Sequence, residues 1–312
     1  MIAFVFPGQG TQRVGMGKEL AAAYPQVAAA FATADAALGE PLSALCFAGP
    51  EDDLRQTRHT QPAIVATSIA IYQLVREYAT PFCVAGHSLG EYAALVAAGS
   101  LSLTDAVRVV RQRGLLMEAA VAPGSGAMAA LLGLDKAKVA EICRRAGVQG
   151  VVEPATFNGG GQVVVAGEAP AVQAAMELAV QAGARRAQML NVSGPFHTSL
   201  LQSAGARLAQ VLSEVDIKSA QAPVYANATA TALTAPSDIR SALVHQVSTA
   251  VRWEESITAM RDAGVQLFVE IGPGRVLSGL IRRIAPEASV CNVEDNASLN
   301  AFIARVKGDV II

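Results

Sequence analysis

Residues 82–99, FCVAGHSLGEYAALVAAG, set a short apolar run before Gly86-His87-Ser88-Leu89-Gly90 and an alanine-rich run after it. The first run has the character of a buried strand and the second that of a helix. The pattern G-x-S-x-G therefore falls at a strand-to-helix turn, the context that gives it chemical meaning. A sharp turn of this kind strains its central residue, and glycines on either side let neighbouring backbone pass close by. The Ser88 hydroxyl is then expected at a helix N-terminus, where unpaired N–H groups can stabilise developing negative charge. The plainer alternative is a glycine-flanked turn whose serine only caps the helix.

The same strand–loop–helix order recurs outward from this turn. IAFVF (residues 2–6) precedes Pro7-Gly8, and QLFVEI (266–271) precedes Gly272-Pro273-Gly274. Alanine-rich helical patterns such as QPAIVATSIAIYQLVREYA (61–79) lie between the strands. Apolar strands alternating with helices predict an α/β fold with a parallel sheet. Residues 124–192 follow another order: GAMAALLGL a strand, DKAKVAEICRRAG a helix, VVEPATFNGGGQVVVAG two strands about a glycine turn, APAVQAAMELAVQAGAR a helix, RAQMLNV a strand. That is β-α-β-β-α-β, the ferredoxin-like unit. The expected organisation is a hydrolase-like core from residues 1–123 and 193–312, with a ferredoxin-like subdomain at 124–192.

Composition narrows the function. In 312 residues, 52% are hydrophobic and 16% charged, which describes a globular chain with a sizeable core. A formal net charge of −2, 5% aromatic residues and a single tryptophan, Trp253, argue against nucleic acid as a partner. Cys46, Cys83, Cys143 and Cys291 are widely spaced and form no zinc-ligand pattern. No metal is expected, and free thiols suit a reducing cytoplasm. The N-terminus reads as a first strand and not a signal peptide, and no apolar run approaches the ~20 residues of a membrane span.

A serine nucleophile needs a base. His87 adjoins Ser88 and should point away from it. His59 sits before a helix among polar residues, and His245 reads as a core or surface histidine. His197 follows Gly194-Pro195 and is expected in the first turn of a helix, whose positive end would keep its imidazole neutral. Ser before His is the order of the α/β hydrolases. No acidic partner for the histidine stands out, since the carboxylates between Ser88 and His197 mostly fall on helix surfaces; a backbone carbonyl could hold the tautomer instead.

SLTDAVRVVRQRGLLMEAA (102–120) opens with a capping pair, Ser102 and Asp105, and carries an apolar stripe through Ala106, Val109, Leu116 and Ala120. Arg113 falls on that stripe, with Arg108 and Arg111 on a more polar side. A guanidinium facing the core must find an anion. The anion is either an internal carboxylate or the carboxylate of a substrate held by the arginine fork.

FPGQGTQ, GHSLGEYAAL, RQRGLLMEAA, GAMAALLGL, SGPFHTSLL, HQVSTAVRW and EIGPGRVLSGL together resemble, in order and spacing, the malonyl-CoA:acyl carrier protein transacylases of fatty acid and polyketide synthesis. The resemblance implies a hydrolase-like core with a ferredoxin-like insert and a ping-pong transfer between malonyl-CoA, a coenzyme A thioester, and the phosphopantetheine thiol of acyl carrier protein, with no bound cofactor. It implies Ser88 as nucleophile and His197 as base. Backbone N–H groups of Gln9 and Leu89 would form the oxyanion hole, and Arg113 would hold the malonyl carboxylate. Gln246 would orient the histidine by its main-chain carbonyl, and His87 would belong to the substrate site. Phe196, before the base, goes with malonyl over methylmalonyl in related polyketide acyltransferases. Asn158 is expected to line the cleft, although three glycines follow it where some relatives have serine and proline. Arg185, Arg186, Arg282 and Arg283 fit either carrier docking or solvated helix faces. A serine hydrolase or thioesterase would share Ser88 and His197, and a non-catalytic synthase subunit would need neither.

Overall fold

The computed structural model describes residues 1–192 and 194–308; Ser193, in the SGPFHTSLL motif, and residues 309–312 of the expected core lie outside the described residues. Ten strands are described: β1 (Ile2–Phe6), β2 (Cys83–Gly86), β3 (Gly126–Leu132), β4 (Val152–Gly159), β5 (Gln162–Glu168), β6 (Arg186–Met189), β7 (Val224–Tyr225), β8 (Ala232–Leu233), β9 (Leu267–Ile271) and β10 (Ser289–Val293). They form a six-stranded sheet of order β10-β9-β1-β2-β7-β8 and a four-stranded sheet of order β4-β5-β3-β6. The large sheet is parallel from β10 to β7, with antiparallel β8 at its edge. The fold is thus α/β with a largely parallel sheet, as the strand–helix alternation implies.

Alternation along the strands builds its two faces. On β1, Phe4 and Phe6 enter one core with Ile64, Ile71 and Val84, while Ala3 and Val5 enter the other with Trp253, Phe268 and Ile281. The period-2 geometry of a strand puts neighbouring side chains on opposite faces, and both faces are covered, as a parallel sheet requires. The small sheet is antiparallel and buries its own cluster, including Leu131, Val139, Val165 and Val172, against the helices Lys136–Ala146 and Ala169–Gln181. Its element and strand order are those of the ferredoxin-like unit.

The sheets meet where they position the site. Val251 lies beside β4 in an isolated parallel bridge to Thr156, with Val251 N–H donating to Ala155 O at 2.9 Å and Phe157 N–H to Val251 O at 2.9 Å. Ser199 N–H and Oγ both donate to the Glu153 carboxylate of β4, at 2.8 and 2.6 Å. Thr156 and Asn158 at this end of β4 line one cleft with Gly8 and Gln9, which follow β1, and His87 and Ser88, which follow β2. In an open α/β sheet the C-terminal ends of the strands are where ligands bind.

Candidate active site

Ser88 stands between β2 and the helix Gly90–Ala97 with φ of 53°, the strained left-handed conformation that the elbow pattern predicts. Such a conformation costs roughly 1–3 kcal/mol and persists only when its surroundings impose it. Here both main-chain polar groups of Ser88 are held. Its N–H donates to Asn227 Oδ1 at 2.6 Å, and its carbonyl accepts from Gln246 Nε2 at 3.0 Å. The flanking glycines are there for space. A Cβ on Gly86 would come within 1.9 Å of the Gly90 main chain, and one on Gly90 within 2.3 Å of the Phe6 carbonyl. Gly86→Ala is expected to destabilise the protein by roughly 3 kcal/mol, at or beyond the upper end of the usual cost of overpacking, because the atoms it meets are main chain. A shift below ~1 kcal/mol in the denaturant titration would mean that the elbow can open.

Ser88 Oγ lies 2.7 Å from His197 Nε2. His197 Nδ1 lies 2.8 Å from the main-chain carbonyl of Gln246. A carbonyl only accepts, so Nδ1 carries the proton and Nε2 is left to accept from the serine. The pairing expected from sequence is therefore present, but not for the reason given by the helix. His197 precedes the short 3₁₀ turn Ser199–Leu201 and the helix Gln202–Ser213, and its φ is 64°. It is not in a first helical turn. The bend is held by Thr198 Oγ1 donating to Pro195 O at 2.8 Å and by the Glu153–Ser199 bonds. Burial, and after it the Arg113 charge, push the imidazole down to about 3, so it is neutral at physiological pH.

Arg113 is 1% exposed. Its Nη1 donates to Gln61 Oε1 at 2.8 Å, and its Nη2 to Gln246 Oε1 at 2.9 Å and to Ser88 Oγ at 3.2 Å. Among the described residues no carboxylate forms an ion pair with it, which disfavours the internal salt bridge. Arg111 does pair with Glu40, and Arg108 Nε donates to Ala37 O at 2.9 Å, in keeping with the polar side of that helix. Ser102 caps the helix by accepting from Asp105 N–H at 3.0 Å.

The other expected residues are close by. Gln9 follows β1, its Nε2 3.4 Å from Thr57 Oγ1, and Leu89 is the N-cap of the helix after Ser88. The main-chain N–H groups of Gln9 and Leu89 have no acceptor among the described residues. His87 Nε2 lies 2.9 Å from Asn158 Oδ1, its ring 5.5 Å from that of Trp253. Phe196 and His197 line, with Gln9, Ser88, Arg113 and Met128, a cleft of about 1100 Å³. His245 is exposed on the helix Pro236–Gln246 and does not line this cleft. His59 lies inside the helix Thr57–Val75 and not before it, its Nδ1 2.9 Å from Asp53 O.

Three residues of the site escape the sequence reading: Gln61, Asn227 and Glu91. Glu91 corrects the view that nearby carboxylates fall on helix surfaces only in part, since most do but Glu91 is 2% exposed. It follows Gly90, so the tight packing of the elbow helix against β1 was the available sign that its first turn is buried.

Residues 3–305 match the family model of an acyl transferase domain. The chain is 45% identical to the malonyl CoA-acyl carrier protein transacylase of Bacillus subtilis, over 98% of this chain and 97% of that protein. The crystal structure of an acyl carrier protein S-malonyltransferase from Vibrio cholerae superposes with a TM-score of 0.93 at 45% identity, covering 96% of this chain and 99% of that one. A malonyl-transacylase solved in complex with its type II PKS acyl-carrier protein gives a TM-score of 0.95 at 43% identity, over 97% and 99% of the two chains. With an elbow serine, a neutral histidine and a buried arginine converging in one cleft, and with this likeness along nearly its whole length, the chain belongs to the malonyl CoA-acyl carrier protein transacylase family of acyl transferases.

Proposed function

We propose that the protein transfers the malonyl group of malonyl-CoA to the phosphopantetheine thiol of acyl carrier protein through a malonyl ester on Ser88. The observation that carries this is the Arg113 guanidinium, buried, with no carboxylate partner among the described residues, and 3.2 Å from Ser88 Oγ. A cation so placed suits an acyl group that ends in a carboxylate.

Ser88 Oγ attacks the thioester carbonyl and its proton passes to His197 Nε2. The oxyanion is held by the N–H groups of Gln9 and Leu89. Collapse expels the coenzyme A thiolate, which takes the proton from His197. The carrier thiol then gives its proton to the same nitrogen, attacks the ester and releases Ser88 Oγ, which recovers the proton. Gln246 O keeps His197 in the required tautomer throughout. His87, held by Asn158, contributes to the acyl pocket, and Phe196 takes the space an α-methyl group would need. The chemistry requires no metal or bound cofactor, and a cytoplasmic setting suits the four unpaired cysteines. Among the described residues no helix is long and apolar enough to cross a membrane. We assign the site to a core of residues 1–123 and 193–312, with residues 124–192 as an insert that roofs the cleft.

The ratio of kcat/KM for malonyl-CoA to that for acetyl-CoA tests this. Wild-type protein should strongly prefer malonyl-CoA. In Arg113→Ala the substrate carboxylate would enter without its partner, at a cost of about 3–5 kcal/mol, so malonyl transfer should fall roughly 10²–10³-fold or more. Acetyl transfer should change little. Equal loss of both activities with a lowered Tm would make Arg113 a structural residue.

A further inference from the structure

Arg113 is a buried cation, and the buried carboxylate of Glu91 lies one side chain away from it. Glu91 Oε2 accepts from Gln246 Nε2 at 2.8 Å and from Asn227 N–H at 2.9 Å. Gln246 turns its Oε1 to Arg113, so its amide stands between the two charges. Asn227 in turn donates to Gly86 O at 2.6 Å and accepts from Ser88 N–H. One carboxylate oxygen thus braces the residue that holds His197 and Arg113 and the residue that pins the elbow.

We propose that Glu91 is the distant countercharge of Arg113, a positioning residue that balances the guanidinium in the resting site and weakens its hold on the substrate carboxylate. This inference rests on the malonyl-transfer reading of the site. A carboxylate bonded directly to Arg113 would have to be displaced by the malonyl group. Placed behind a neutral amide, it stabilises the cation while leaving the guanidinium's Ser88 side open. When the malonyl carboxylate arrives, two buried anions share one cation, and the more weakly solvated of them is favoured to take up a proton. Burial already pushes Glu91 up to about 7, with Asn227, Gln246 and Arg113 acting against it.

Few other groups can titrate beside it. The helix Gly90–Ala97 packs on β1, β2, β7 and the helices Thr57–Val75 and Leu103–Ala119. Strand β1 has no titratable residue. Cys83 of β2 and Tyr225 of β7 line the opposite face of the sheet, and their pKa values are raised by burial. Arg58, His59 and Tyr72 come from Thr57–Val75, and Asp105, Arg108, Arg111, Arg113 and Glu118 from Leu103–Ala119; of these Arg113 is the charge that acts on Glu91. On its own helix Tyr92 is pushed far up by burial. His87 and His197, from the adjoining loops, both have their pKa values lowered by burial.

The test is KM for malonyl-CoA and acetyl-CoA across pH 6 to 8, in wild-type protein and in Glu91→Gln, whose amide oxygen can still accept from Gln246 and Asn227. In wild-type protein KM for malonyl-CoA should rise roughly three- to tenfold with pH as Glu91 ionises, as for two like charges in a site of intermediate dielectric. KM for acetyl-CoA should not follow it. Glu91→Gln should be flat and, at the upper end, should have the lower malonyl-CoA KM. A flat wild-type profile, or a variant that loses affinity for both substrates alike, overturns the countercharge. The wild-type profile decides the matter even if Glu91→Gln does not fold. Intact mass separates the two readings: a malonyl adduct with a flat profile overturns this inference alone, and the lack of any adduct overturns the functional reading as well.

Discussion

Ser88→Ala should leave a folded protein that gains no malonyl group from malonyl-CoA and passes none to acyl carrier protein. The elbow is pinned through main-chain atoms, Ser88 N–H to Asn227 Oδ1 and Ser88 O to Gln246 Nε2, and alanine keeps both bonds. What disappears is the oxygen that attacks, together with its contacts to His197 and Arg113. Removing a covalent nucleophile that works with a base as one unit costs about 10⁶-fold in comparable serine enzymes. The prediction is therefore a mass spectrum without the adduct, a rate at background, and a Tm close to that of the wild type. An adduct that persists in the variant, or one mapped to another residue, would remove Ser88 from the mechanism.

His197→Ala should slow single-turnover acylation by roughly 10²–10⁴-fold, the usual contribution of a general base. His245→Ala should cost far less, because His245 is exposed and its imidazole takes no part in the site. The pH profile adds an independent check. An ordinary histidine would become protonated, and useless as a base, as pH falls through ~6.5. With His197 pushed down to about 3, its imidazole stays neutral well below that. At saturating malonyl-CoA, where substrate affinity no longer matters, acylation should show no loss of rate as pH falls through ~6.5. If the two histidine variants are equally impaired, or the rate falls with an ordinary histidine titration, then His197 is not the base in the environment described here.

Much of this architecture is legible in the sequence because it depends on neighbours along the chain. Strand periodicity places Phe4 and Phe6 on one face of β1 and Ala3 and Val5 on the other. Ser102 caps its helix through Asp105, three residues on. The glycines beside Ser88 announce close backbone approach, and the apolar stripe around Arg113 announces a buried cation. Each is a short-range pattern with a short-range cause. The polar network is different. Asn227 reaches Ser88 across 139 positions, Gln246 reaches Glu91 across 155, and Glu153 bends the chain beside His197 across 46. None of these residues carries a local signature. Glu91 looks like a solvated residue in a helix's first turn, and His197 looks like part of a helix it only precedes. By itself the sequence determined the α/β alternation, the elbow, the capped helix with its inward arginine and the order of the inserted unit. Only the tertiary structure decided which groups satisfy the buried polar atoms, because hydrogen-bond partners are set by distance in space, and a polar atom cut off from water must bond to whatever the packed elements bring within reach.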